Sequence, residues 1–224
     1  MVIATVTDPN YQGSTSGTLI IQPRQFALTV VASPLEGGSV TGGGTFVEGT
    51  PTPITAAPAE GWQFTGWSGT GIADSTSANT TISINGNKTA TALFEQLTPY
   101  QIWTANNTLN GSDANTTADS DDDGIPNLVE FATHMDPSVS DIVPASASKN
   151  TTDIVFVYTF NKAATDVTLT VEWSDDLSQS SWSSAGVSAP TILSEDAETR
   201  QLQVTVPAPA GTTHRFVHLR VTRP

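Results

Sequence analysis

Residues 119–130 constrain this chain more than any other stretch. They read D-S-D-D-D-G-I-P-N-L-V-E. Carboxylates alternate at Asp119, Asp121 and Asp123, Gly124 follows where the chain must turn sharply, and Glu130 closes the run. Between them Ile125 offers its backbone carbonyl, and Asn127 a side-chain oxygen that acts directly or through a water. A hard cation of calcium's size needs about six to eight oxygens at about 2.3–2.6 Å, and few other arrangements gather so many from so short a segment.

The offsets follow the ligand order of an EF-hand calcium loop: acids at positions 1, 3 and 5, glycine at 6, a carbonyl at 7, a side chain at 9 and a two-oxygen acid at 12. The expected cofactor is therefore Ca2+, held by Asp119, Asp121, Asp123, Ile125 through its carbonyl, Asn127 and Glu130. Asp122 falls at the variable fourth position and is left out. A solvated acidic loop is the bland alternative, but it does not account for glycine, asparagine and glutamate at these offsets. So complete a ligand set leaves little open coordination, which makes the expected role structural rather than catalytic.

Acids outnumber bases by 22 to 8 and the net charge is −14. Such a chain is repelled by nucleic acid and by anionic membranes, and it suits an exported protein in a medium rich in divalent cations. Cysteine is absent, so disulfides cannot staple small domains; metal and packing must do so. No apolar run approaches the roughly 18–20 residues of a membrane span, and the first residues, M-V-I-A, lack the basic and apolar regions of a signal peptide. The expectation is a piece of a larger secreted or cell-surface precursor.

The 224 residues allow one to three domains, and the sequence divides into four segments. In residues 1–25, T-V-T-D-P-N-Y-Q-G-S-T-S-G-T-L-I-I-Q places two short strands around a turn cluster. It resembles the last hairpin of a bacterial Ig-like repeat. In residues 26–96, F-A-L-T-V-V-A-S-P alternates as a strand, a glycine-rich turn region follows, and Asn85-Gly86 suits a hairpin turn. The run through G-W-Q-F-T-G-W-S-G to N-K-T-A-T-A-L-F resembles the internalin B-type repeats of bacterial surface proteins, which implies a small β-grasp-like module. Trp62, Phe64 and Trp67 are either a sugar-stacking platform or the aromatic core; a domain of this size needs its aromatics inside, which favours the core.

Residues 97–144 begin with P-Y-Q-I-W-T-A-N, where Pro99 suits the first helical position and Tyr100, Trp103 and Ile102 would face the core. After the acidic loop, residues 127–135 read as a short helix with Leu128, Phe131 and Met135 on one face, stopped by Asp136-Pro137. This segment resembles the calcium-binding linkers of secreted bacterial proteins, which are similar to thrombospondin type 3 repeats and dockerin loops. Only one loop is complete; Asp113 and Asn115 have the spacing of a second site but read better as a polar turn. Residues 145–224 contain D-I-V-F-V-Y-T-F, D-V-T-L-T-V-E-W-S, R-Q-L-Q-V-T-V and R-F-V-H-L-R-V-T, strands by alternation and β-branched content. Their spacing predicts an antiparallel β-sandwich, and the segment resembles a C-terminal domain that follows such linkers in secreted bacterial proteins. In its last strand Val217, Leu219 and Val221 would point inward, and His214, Phe216, His218 and Arg220 would share the other face. The fold class expected for the whole is mainly β.

Catalytic signatures are sparse. The three histidines are His134, His214 and His218; the last two, on one strand face, suit a transition metal. Glu172, Asp175 and Asp176, on a strand-to-turn segment, could supply the acids of glycoside hydrolysis, but a solvated turn is the better reading. No nucleophile elbow, phosphate loop, dinucleotide fingerprint or zinc motif occurs. The leading expectation is a non-catalytic, calcium-stabilised extracellular module of a larger bacterial protein, serving adhesion, anchoring or spacing. The alternatives are a carbohydrate-binding module for polysaccharide, using Trp62, Trp67, Trp173 or Trp182, and a hydrolase (glycosidase or esterase) built on His214 or His218.

Overall fold

The computed structural model describes residues 23–209, 211 and 214–224. The Ig-like hairpin expected in residues 1–25 lies almost wholly outside the described residues. The chain divides into two compact units, Met1–Gln96 and Leu97–Pro224, and both are built mainly of β-strands.

The described part of the first unit holds seven strands: β1 (Gln25–Ser33), β2 (Gly38–Thr41), β3 (Gly44–Val47), β4 (Pro51–Pro58), β5 (Trp62–Ser68), β6 (Asn79–Ser83) and β7 (Lys88–Gln96). They form a four-stranded sheet ordered β3-β1-β7-β5 and a three-stranded sheet ordered β2-β4-β6. The first and last strands run parallel, with Val30 opposite Ala90 and Ala32 opposite Ala92. Parallel neighbours need a long crossover, and here the intervening chain builds the second sheet. Leu28, Ile54, Trp67, Ile82, Ile84 and Phe94 from both sheets make one core.

Two local expectations differ from this outcome. The glycine-rich turn region contains β2 and β3. Its glycines serve close approach: a Cβ on Gly38 would sit 2.5 Å from the Ala57 carbonyl oxygen. Asn85-Gly86 does not close a hairpin, because β6 and β7 belong to different sheets; the turn carries the chain from one layer to the other.

The second unit opens with α1 (Pro99–Asn106) and α2 (Asn127–Thr133). Thr98 and Gln101 cap α1 reciprocally: Thr98 Oγ1 accepts from the Gln101 amide at 3.3 Å, and Gln101 Oε1 accepts from the Thr98 amide at 2.9 Å. Helix α2 stops at His134, which adopts the left-handed conformation with φ 63°, three residues before the proline expected to stop it. Six strands follow: β8 (Ala145–Lys149), β9 (Asp153–Asn161), β10 (Thr168–Ser174), β11 (Thr191–Glu195), β12 (Thr199–Pro207) and β13 (Phe216–Thr222). An antiparallel sheet ordered β11-β12-β9-β8 faces the antiparallel pair β10-β13 across a core of Phe156, Tyr158, Val171, Val204 and Val206, to which Val217 and Leu219 add. Strands β8 and β11 are exposed along their whole length, which is why alternation did not mark them.

The helices pack on this sandwich. Tyr100, Phe131 and Ala164 are buried together, with Trp103, Leu128, Phe160 and Val167 around them. Tyr100 meets Phe131 edge-on at 5.4 Å, a favoured aromatic geometry. Buried Asn161, on β9, donates to the Phe131 carbonyl at 2.8 Å. Ile102, expected to face the core, is 38% exposed. At the far end Arg223 meets Asp166 at 2.9 Å and the Thr98 hydroxyl at 2.6 Å, tying the last residues to the start of α1.

Candidate metal centre

The acidic loop folds around its own amides. Asp119 accepts from the Gly124 amide at 2.8 Å and the Asp123 amide at 3.2 Å. Asp121 Oδ1 accepts from the Asp123 amide at 3.2 Å. Asp123 accepts from Ile125 at 2.7 Å and from Asp141, well beyond the loop, at 2.9 Å. Gly124 has φ 90°, a left-handed conformation that glycine adopts without a Cβ clash. These bonds bend the segment until carboxylate oxygens of Asp119, Asp121 and Asp123 lie within 4.8 Å of one another.

Glu130 reaches the centre from α2. Its side chain is fully buried, and neither carboxylate oxygen has a hydrogen-bond partner; Asp121 Oδ2 is likewise buried and unpartnered. Burial, reinforced by the charges of Asp121, Asp123, Asp119 and Asp136, pushes the Glu130 carboxyl up to about 7. Burial also raises Asp121, and Asp123 and Asp119 add to the effect. Native proteins pair nearly all buried polar groups, and an ionised carboxylate withdrawn from water without a partner costs several kcal/mol, by order-of-magnitude estimate. Three converging aspartates beside a buried glutamate whose carboxyl they push up, with the Glu130 oxygens and Asp121 Oδ2 unpartnered and, among the described residues, no cationic side chain bonded to them, have the donor chemistry of a hard divalent cation.

Asn127, expected to act directly or through a water, makes bonds of its own to the protein. It is fully buried and donates to the Asp113 carbonyl at 2.6 Å and to Ser120 Oγ at 3.0 Å, while its own oxygen accepts from the Ser120 hydroxyl at 3.1 Å. It braces the loop against the preceding turn. That turn is the Gly111–Ala114 3-10 segment, so Asp113 contributes a backbone carbonyl here. Ser120 and Asp136 were missed in the sequence. Ser120 sits at an uninformative loop position, and Asp136 read only as a helix stop.

The other candidates do not assemble into a site. Trp67 is 5% exposed and its indole donates to the Ser77 carbonyl at 3.1 Å; Phe64 packs edge-on against Trp67 and Phe94, at 5.8 and 6.0 Å. Trp67 is core, and Trp62 and Phe64 pack against it partly buried. Trp173 packs on the sandwich core beneath the Arg215 guanidinium, 3.7 Å from the ring centre. Arg215 also holds Asp175 through two bonds, at 2.8 and 2.9 Å, and that hydrogen bonding lowers the Asp175 carboxyl. Glu172 accepts from Arg220 at 3.2 Å and lies 3.0 Å from His218 Nε2; the His218 bond is the main influence that lowers its carboxyl. His218 in turn stacks flat on Trp182, with centroids 3.7 Å apart. Among the described residues, Asp119, Asp121 and Asp123 form the one group of three or more metal-type side chains with converging donor atoms, and neither His214 nor His218 belongs to it.

Comparison with known proteins covers the chain ahead of this centre rather than the centre itself. Residues 28–98 match the divergent InlB B-repeat domain family, and residues 1–25 match the MBG domain family. No curated protein and no solved structure matches the chain. Among the described residues no helix is long and apolar enough to cross a membrane. The chain thus carries, ahead of its acidic loop, repeat domains of the kind found in bacterial surface proteins.

Proposed function

We propose that Leu97–Pro224 is a calcium-organised, non-catalytic module that follows surface-type repeats in a secreted or cell-surface bacterial protein. The observation that carries this reading is Glu130: a fully buried carboxylate with no hydrogen-bond partner, directed by α2 at three clustered aspartates. A bound Ca2+ would take oxygens from Asp119, Asp121, Asp123 and Glu130 and the carbonyl of Ile125, with Asn127 holding the loop to the turn before it. The ion would then join the acidic loop to α2, and through Phe131 and Asn161 to the sandwich. In a chain without cysteine, this clip replaces the disulfide a small exported domain often carries. Adhesion, anchoring or spacing are the roles that fit a module of this kind.

An ion that binds only the folded state stabilises it by about 2.7 kcal/mol at a hundredfold excess over Kd. The test is a thermal melt of the full chain in calcium and in chelator, beside direct measurement of calcium in the dialysed protein. A raised midpoint in calcium supports the reading. Identical midpoints together with no bound calcium would end it.

A further inference from the structure

We infer that the second unit carries a binding cleft for a short neutral saccharide, apart from the acidic loop. The cleft encloses about 520 Å³ between the end of α1, the cap of α2 and the turn joining β11 to β12. That volume lies within the roughly 300–1,000 Å³ typical of small-ligand sites. Trp103 and Met135 supply its apolar surface, and Asn106, His134, Asp136 and Glu198 its polar surface.

The polar atoms are unusually free. Trp67 and Trp173 donate their indole N–H groups to backbone carbonyls at 3.1 and 3.0 Å. Among the described residues the Trp103 indole N–H and the Asn106 side-chain amide make no such bond, and the Glu198 carboxylate meets His134 at 3.3 Å. His134 stands at a left-handed position, φ 63°, where glycine is the ordinary choice. Its imidazole reaches Glu198 across the cleft, and strain of this kind concentrates at ligand sites. It projects the ring to the rim, opposite Glu198 on the β11–β12 turn.

Ligand chemistry follows from this lining. Carboxylates and amides side by side suit hydroxyl groups, which donate and accept at once. An aromatic surface beside them suits the apolar face of a sugar ring. Lys162 also lines the cleft, but its charge is held by Glu195 at 2.6 Å, so an anionic ligand would meet Asp136 and Glu198 without a free cation and a neutral saccharide is favoured. The inference stands on the cleft alone and does not depend on a metal ion.

The experiment is calorimetric titration of the full chain with soluble neutral gluco-, xylo- and manno-oligosaccharides, with an acidic oligogalacturonide as comparator. The expected result is binding of at least one neutral oligosaccharide, weakened about tenfold or more (about 1.4 kcal/mol) by Asn106→Ala, Glu198→Ala and His134→Gly. Asn106→Ala and Glu198→Ala leave the core untouched and should melt close to the parent, whereas His134→Gly should melt at or above it because glycine suits the left-handed cap. Absence of binding across the neutral panel overturns the inference. So does binding that survives all three changes, or that is lost only on Trp182→Ala.

Discussion

Two glutamates in the same unit have opposite surroundings. Glu172, on β10, faces His218 and Arg220 from the neighbouring β13, and its carboxyl is lowered by those bonds. Glu130, on α2, faces Asp119, Asp121, Asp123 and Asp136; burial and those charges push it up to about 7. The sandwich supplies its acid with an arginine and an imidazole bond, whereas the helical segment supplies more acids. Ionising Glu172 strengthens the fold as it stands. Ionising Glu130 strengthens it only when something positive arrives from solution. The difference separates a structural ion pair from the proposed metal centre within one compact unit.

The largest effect tests that difference directly. Glu130→Gln should remove most of the calcium-dependent stabilisation, about 2.7 kcal/mol at a hundredfold excess over Kd. Glu172→Gln should leave the calcium shift intact. Paired melts in calcium and chelator read both variants. A Glu130→Gln protein that keeps the full shift, or a Glu172→Gln protein that loses it, breaks the comparison.

How much of this was legible follows from sequence distance. The loop acids are local: Asp119, Asp121, Asp123 and Gly124 take their positions from backbone offsets alone, and the structure brings the three aspartates together. That Glu130 is fully buried could not be read, because its burial depends on α2 packing through Phe131 against β9 and the residues after it. The inward residues of β13, Val217 and Leu219, followed from alternation; the contact of His218 with Glu172, 46 residues away, required the register of two strands. Asn85-Gly86 misled because a turn signature does not say whether its flanking strands share a sheet. The cleft at Trp103 was invisible for the same reason: its walls come from α1, α2 and a turn about ninety residues later.

A smaller effect asks whether α1 stands without the ion. Thr98 caps the helix and also receives Arg223, so both partners come from the protein, as they do for Glu172. Thr98→Ala should cost about 1 kcal/mol, and the loss should be equal in calcium and in chelator. A cost confined to calcium would mean that the ion builds α1 as well as the loop, enlarging the dependent region beyond what the two glutamates delimit.

The smallest effect is the pH dependence of the self-sufficient side. A carboxyl lowered in the folded state adds stability that is present above its unfolded value, about 4.5, and is lost as pH falls through the folded one. For Glu172 the sign is therefore stabilising at neutral pH and vanishing in acid. Its partners are half exposed, His218 40% and Arg220 58% at the side chain, so solvent screens the pair and Glu172→Gln should cost no more than about 0.5–1 kcal/mol at neutral pH. Parent and variant should converge as pH falls below about 4.5. Melts between neutral and acid pH in constant calcium read this difference. A gap that persists unchanged in acid would mean that Glu172 acts through packing rather than charge, and the contrast with Glu130 would then lose its electrostatic basis.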